Sequence, residues 1–155
     1  MLFFKNYWIL WQNARNLDFI WKYNTNEAKE LADSKLKTKD FLSKKWISVS
    51  ESIFVIKNHK ELEETDLNTF ETPFVVKPNA GYWWKWILII DKKDSENNFI
   101  TNDWQIFNYG ELNQHLNDIL DGFYSLSWSR DKVIFERKIE IDHSVDLLWK
   151  YWLPD

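Results

Sequence analysis

The residues from Thr72 to Asp91 constrain the fold of this chain more than any other stretch. They read TPFVVKPNAGYWWKWILIID, in which two apolar runs rich in β-branched residues flank a segment with proline, asparagine and glycine. This pattern predicts a β-hairpin with a long connecting loop. Lys77 ends the first run, so its ammonium group would point along that loop. A loop of this kind binds phosphate when its backbone amides turn inward.

Three tryptophans in the same loop, Trp83, Trp84 and Trp86, contradict a phosphate site because bulky indoles keep a ligand away from the backbone. The whole chain shows the same imbalance, with 3 glycines and 11 tryptophans among 155 residues. An average composition of about 7% glycine would give about 11 glycines. A shortage of glycine is therefore matched by an excess of tryptophan.

Length and charge narrow the class of protein. A chain of 155 residues fits one ordinary domain or a piece of a larger protein. The net charge of -4 gives no general attraction to nucleic acid or to anionic membranes. Polar residues such as Lys5 and Gln12 interrupt the aromatic N-terminus, so we expect no membrane span. The absence of cysteine predicts a reducing, cytoplasmic location.

Periodicity predicts an α+β fold with a small antiparallel sheet and flanking helices. The predicted strands lie at about 53–57, 73–77, 86–91 and 132–139, and the helices near 34–45 and 111–121. Asn58 and Glu61 predict a capping box for a further short helix. We expect a loop from Asp91 to Asn102, a short strand from Trp104 to Tyr109, and an irregular or partly helical lead-in over residues 1–23.

The histidines and the acidic cluster do not predict a metal site. His115 lies beside the apolar stripe of the predicted helix at 111–121 and is interpreted as a packed histidine. His59 and His143 are expected to be isolated from that stripe and from each other, so the spacing of a metal site is absent. The acidic residues Glu61, Glu63, Glu64 and Asp66 are interpreted as a solvated face.

Several segments together resemble the ATP-grasp superfamily, and most closely the sugar-transfer-associated ATP-grasp proteins related to α-L-glutamate ligases. The resemblance rests on NARNLDFI, LADSKLKTKDFL, KKWISVSESIFVI, FVVKPNAGYWWKWILII, DILDGFYSL, VIFERKI and the terminal YWLPD. It implies three segments: an N-terminal lead-in (1–30), an ATP-grasp nucleotide-binding (lid) subdomain (31–138), and the truncated start of the C-terminal ATP-grasp half (139–155).

The resemblance also identifies tryptophans at positions where the family has glycine, namely Trp46, Trp83, Trp84, Trp86, Trp128 and Trp152. Some bacteria read UGA as glycine, and translation with a code that reads UGA as tryptophan would produce this substitution. The hypothesis predicts tryptophans at turns, helix ends and the loop tip, several with positive φ. The alternative is a non-enzymatic, aromatic-rich binding module for sugars or peptides, which predicts tryptophans clustered on one exposed face.

By resemblance, the cofactor is ATP with Mg²⁺, and two lysines, Lys35 and Lys77, contact its phosphates. The loop over the phosphates would include Asn79, Gly81, Trp83, Trp84, Lys85 and Trp86. The hinge segment beside the adenine would include Glu136, Arg137 and Ile139, with Glu136 near the amino group of the base.

The family typically uses ATP and magnesium to activate a carboxylate as an acyl phosphate, which an amine then attacks. The partners implied are therefore ATP and small-molecule carboxylate and amine substrates. The magnesium ligands of the family come from the half of the fold that follows the last residue of this chain. We therefore expect an ATP-binding portion that is inactive by itself, and no catalytic residue is assigned.

Overall fold

A computed structural model describes residues 12–81, 86–125 and 129–140 of the chain. The chain divides into two compact units, Met1–Val49 and Ser50–Asp155. The segment boundaries predicted at residues 30 and 138 remain predictions. The tryptophans at 8, 11, 83, 84, 128, 149 and 152 lie outside the described residues, as do Lys85 and His143.

The first unit contributes helical segments. Its described lead-in is helical, as partly expected, and two capped helices follow it. The segments are α1 (Gln12–Arg15), a π-helical stretch (Asn16–Ile20), α2 (Trp21–Tyr23), α3 (Asn26–Asp33) and α4 (Lys35–Ser43). The Thr25 hydroxyl caps α3, and the Ser34 hydroxyl caps α4 by accepting from the Lys37 amide.

Helix α4 ends in a turn that normally requires glycine. The Ile47 amide donates to the Leu42 carbonyl at 3.1 Å, and the Trp46 amide donates to the Ser43 carbonyl at 3.0 Å. These two bonds close a Schellman motif and place Trp46 at its left-handed position. Trp46 accordingly has φ 60°, and its side chain is 97% exposed, so the indole gains no packing that would offset the backbone strain.

The second unit is built on a six-stranded sheet in the order β1-β6-β2-β3-β4-β5, with every neighbouring pair antiparallel. The strands are β1 (Ser52–Ile56), β2 (Phe74–Pro78), β3 (Leu88–Lys93), β4 (Phe99–Thr101), β5 (Ile106–Phe107) and β6 (Val133–Arg137). The predicted α+β class and the predicted hairpin of β2 and β3 are confirmed.

The prediction of a loop from Asp91 to Asn102 is wrong at both ends, where the structure has strands. Strand β3 continues to Lys93, and Phe99–Thr101 forms β4. Phe99 is fully buried. Its strand has only three residues and follows a polar turn, so the sequence shows no clear strand pattern there. In that turn, Asp94 accepts hydrogen bonds from the amides of Glu96 and Asn98. The strand predicted from Trp104 to Tyr109 is shortened to Ile106–Phe107 because helix α6 (Tyr109–Leu120) already begins at Tyr109.

Helix α6 covers one face of the sheet. The Asn108 side chain accepts from the Glu111 amide, and the Glu111 carboxylate accepts from the Asn108 amide, which completes a capping box. Behind this cap, one face of α6 buries its apolar side chains against the sheet. The core includes Leu112, Leu116, Ile119, Phe74, Val76, Ile90, Phe99, Val133 and Phe135.

Helix α5 (His59–Glu63) confirms one half of the predicted capping box. The Asn58 side chain accepts from the Glu61 amide at 3.0 Å, but the Glu61 carboxylate accepts from the Lys57 amide instead of the Asn58 amide. The His59 ring contacts polar side chains at the end of α6, away from the apolar stripe that includes His115. Its Nδ1 is 2.8 Å from the Asn117 side-chain oxygen, and its Nε2 is 3.0 Å from an Asp121 oxygen. Such a contact between distant residues has no local sequence pattern.

Candidate functional site

The charged residues Lys77 and Glu136 lie on the sheet face opposite the apolar core. In the pairing of β2 with β6, Val75 is opposite Glu136 and Lys77 is opposite Ile134. Side chains alternate along a strand, so these residues share one face, while Val76 and Phe135 point into the core. The sequence-predicted residues Lys77 and Glu136 are therefore brought together by register.

The two groups form a close ion pair. Lys77 Nζ is 2.6 Å from Glu136 Oε2, and the side chains are 18% and 4% exposed, respectively. Ser50 contributes a third group, because its hydroxyl donates to the same Glu136 oxygen at 2.8 Å. A buried carboxylate requires such partners, since its desolvation is otherwise costly. Ser50 was not predicted, because it lies 86 residues from Glu136.

The remaining predicted hinge residues differ in their surroundings. Arg137 bonds to the exposed carboxylate of Glu51 at 2.9 Å, and Ile139 is 68% exposed. Between them, Lys138 Nζ is 2.6 Å from Asp91 Oδ1. Residues 138–140 follow the end of β6, so their backbone groups are candidates to pair with the edge of a base.

The start of the hairpin loop is fixed by the segment that precedes β6. The Asn79 amide donates to the Lys132 carbonyl at 2.9 Å. The Asp131 carboxylate accepts from the Ala80 amide at 2.8 and 3.1 Å and from the Lys132 amide at 2.8 Å. Asp131 is only 6% exposed. The sequence analysis missed Asp131, which has no distinguishing local pattern.

Gly81 and Trp86, at the two sides of the hairpin loop, both contact the turn that follows α6. Gly81 forms a bridge with Ser125, and the Trp86 indole stacks on the Tyr124 ring at a centroid distance of 4.1 Å. Gly81 leaves no room for a side chain, because an added Cβ would lie 2.2 Å from Pro78 Cγ. The backbone entry to the loop is therefore closely packed.

Two titratable groups beside Trp86 have shifted pKa values. Burial lowers the pKa of His115, against the opposing effects of a hydrogen bond to the Trp86 backbone and the charge of Asp118. Burial also raises the pKa of Tyr124 to about 12, with the Asp118 carboxylate adding to the shift. His115 Nε2 is buried and has no hydrogen-bond partner among the residues that the structure describes, which agrees with the predicted packed histidine.

The remaining predicted phosphate-binding residues belong to the first unit or lie outside the described residues, and their roles remain predictions. Lys35 is the first residue of α4 and belongs to the Met1–Val49 unit. The predicted loop residues Trp83, Trp84 and Lys85 lie outside the described residues. Within residues 12–81, 86–125 and 129–140, no three metal-ligating side chains form a group that could hold an ion, and no helix is long and apolar enough to cross a membrane.

The donor set on this face fits a nucleotide in part. Lys77 supplies a cation at the base of the hairpin loop, where a phosphate would be expected, and the segment after β6 supplies backbone groups for a base. The chemistry of the face is therefore consistent with a nucleotide.

Comparisons with known proteins agree with this assignment. The family model for sugar-transfer associated ATP-grasp matches residues 14–155. No curated protein and no solved structure gives a match. The family match covers both the hairpin of β2 and β3 and strand β6, which carry the candidate site. The chain therefore belongs to the sugar-transfer associated ATP-grasp family.

Proposed function

We propose that this chain is the ATP-binding portion of an ATP-dependent carboxylate–amine ligase, with residues 31–138 as its nucleotide-binding subdomain. The observation that carries the proposal is the placement of Lys77 and Glu136 on one sheet face at the foot of the hairpin loop. A cation so placed neutralises phosphate charge that the protein must approach closely. Lys35 is the proposed second phosphate ligand.

In the proposed reaction, ATP phosphorylates a small carboxylate and an amine displaces the phosphate. Magnesium would neutralise the phosphate oxygens when bound, but no described residue is proposed as its ligand. The residues of this chain would bind and orient the nucleotide. Because the chain has no cysteine, we place this activity in the cytoplasm.

We further propose that the protein carries glycine at many of its tryptophan positions. Trp46 and Trp104 support this, with φ 60° and 65° and side chains that are 97% and 76% exposed. Among the non-glycine residues that the structure describes, the third with positive φ is an asparagine, a residue that tolerates this conformation. Reading every tryptophan as glycine turns 3 glycines and 11 tryptophans into 14 glycines.

The position of the described tryptophans argues against one exposed aromatic surface. Trp46 follows a helix, Trp104 lies between β4 and β5, and Trp86 is partly buried against Tyr124. The positive φ of Trp46 and Trp104 supports the glycine hypothesis, whereas Trp86 and the helical Trp21 are not among the described residues with positive φ and do not bear on it. Codons at 46, 83, 84, 86 and 128 that read UGG would contradict that hypothesis, whatever the chain binds.

Titration calorimetry with MgATP tests the binding function. Two chains of residues 1–155 are compared: the chain with its tryptophans, and a variant with glycine at 46, 83, 84, 86, 104, 128 and 152. We expect the glycine variant to bind MgATP at least about tenfold more tightly, because a pyrophosphate can approach a glycine backbone closely. Lys77→Met in the glycine variant is the matched control and should abolish most of that binding.

The outcomes separate the two proposals. If neither chain binds MgATP, the nucleotide-binding function is wrong. If both chains bind equally, the function holds and the requirement for glycine in the loop is wrong. If Lys77→Met binds as tightly as its parent, Lys77 is not a phosphate ligand.

A further inference from the structure

We propose that Glu136 is a positioning residue that holds the Lys77 ammonium toward the phosphates, rather than a group that contacts the adenine. The inference rests on the proposed ATP-binding function and deepens it. It assigns the Lys77–Glu136 ion pair to one task, recognition of the triphosphate. The specificity for the base would then come from elsewhere in the site.

The geometry couples Glu136 to Lys77 directly. The two side chains come from adjacent strands, and their charged atoms are 2.6 Å apart. A lysine side chain has four rotatable carbon bonds, so a free ammonium samples many positions. A carboxylate fixed on the neighbouring strand restricts that ammonium to one place. The ammonium has three donors, so it can keep the carboxylate and still donate to a phosphate oxygen.

Ser50 and burial fix the carboxylate in turn. The Ser50 hydroxyl donates to Oε2, the same oxygen that Lys77 contacts. The Glu136 side chain is only 4% exposed, whereas that of Lys77 is 18% exposed. The lysine therefore offers more surface to a ligand than the glutamate does. Both donors contact Oε2, so the carboxylate is oriented by the two groups and holds the lysine on this side.

The test uses two variants of Glu136 that separate the effect of its charge from the effect of its side-chain length. Glu136→Asp keeps the negative charge but shortens the side chain by one methylene, so its oxygen no longer reaches Lys77 in the same place. Glu136→Gln keeps an oxygen acceptor at the original length. Both are made in the glycine variant of residues 1–155, and calorimetry measures binding of ATP, inorganic triphosphate and adenosine.

We expect Glu136→Asp to weaken the binding of ATP and of inorganic triphosphate by the same factor. The expected loss of affinity is about tenfold, the size of one lost charge-assisted contact. Adenosine binding should be unchanged, and Glu136→Gln should bind both triphosphates at least as tightly as the parent. A loss confined to ATP and adenosine would overturn the inference and assign Glu136 to the base. Equal losses for all three ligands would show a merely structural role and also overturn it.

Failure of the proposed function gives a different result. In that case the parent glycine variant binds neither ATP nor inorganic triphosphate, and the positioning role falls with the function. If the parent binds both and Glu136→Asp leaves both affinities unchanged, only the positioning role is wrong.

Discussion

The Trp86 indole and the Tyr124 ring lie parallel to within 11°, with their centroids 4.1 Å apart. The stack joins the end of the hairpin loop to the turn after α6. We predict that Trp86→Gly lowers the free energy of unfolding by about 1 to 3 kcal/mol, because it removes both the stack and the buried apolar area. Urea unfolding measures this loss.

Trp86→Phe is the matched control for that stack and should retain at least half of the stabilisation, since a ring remains over Tyr124. Equal losses in the two variants would show that the stack contributes nothing specific. Glycine at 86 is thus expected to weaken the fold locally while it opens the loop to phosphate.

Trp46 offers a case in which removal of a side chain stabilises the protein. The residue has φ 60° and no packing, so Trp46→Gly relieves a left-handed conformation that costs a non-glycine residue about 1 kcal/mol. We expect the free energy of unfolding to rise by about that amount, as measured by urea unfolding followed by circular dichroism.

Trp21 is the matched control, because it is also exposed but has φ -68° in α2. Trp21→Gly should lower stability by about 0.5 kcal/mol, the difference in helix propensity. A stabilising effect at Trp21, or a destabilising effect at Trp46, would contradict the backbone explanation.

His115 should make stability depend on pH. Its pKa is lowered in the folded protein, chiefly by burial, so the unfolded chain binds more protons near and below the ordinary value of 6.5. Stability is then fully present above about pH 7.5 and falls as pH decreases through 6.5 toward the folded pKa. His115→Gln should remove this contribution to the dependence of the free energy of unfolding on pH.

The titration of the His115 ring by proton NMR checks the same prediction directly and should give a midpoint below 6.5. The facing groups are Trp86, Tyr124 and Asp118, of which Asp118 carries a charge that opposes the shift. A midpoint above 6.5 would mean that the Trp86 hydrogen bond and the Asp118 charge together outweigh burial.

Asp131 is expected to hold the entry of the hairpin loop. Its buried carboxylate accepts backbone hydrogen bonds from Ala80 and Lys132. Asp131→Ala leaves these donors without their partner, so we predict a loss of about 2 to 3 kcal/mol in the free energy of unfolding. The exposed Asp40, paired with Lys44, is the control, and Asp40→Ala should cost about 0.5 kcal/mol. Similar losses at both positions would contradict the anchoring role.

The sequence predicted those features that depend on local pattern. The two apolar runs beside the loop, the first beginning at Phe74, identified the hairpin. The apolar stripe of α6 identified its covering helix, and the spacing of Asn58 and Glu61 identified a cap. Strand β4 was missed because only three residues form it, and their partners lie in β3 and β5. Ser50 and Asp131 were missed for a related reason, since their roles are created by contacts across the fold.

The site residues also differ in this way: their identities could be predicted from the sequence, but their contacts could not. The resemblance pointed to Lys77 and Glu136 separately, but only the register of β2 against β6 shows that they form a pair. No residue pattern encodes that register independently of the whole sheet. A single sequence can therefore identify the charged residues of this site, but it does not show that they form an ion pair.

Strand β6 lies between β1 and β2, although it is the last of the six strands along the chain. Its pairing with β1 joins Ser52 to Glu136, so the central part of the sheet contains contacts of long sequence separation. Such contacts slow folding, because the intervening chain must be ordered before they form. During synthesis, β1 and β2 must therefore wait for β6 to leave the ribosome. We expect a nascent chain that ends before residue 133 to lack this pairing, and with it the contact between Lys77 and Glu136.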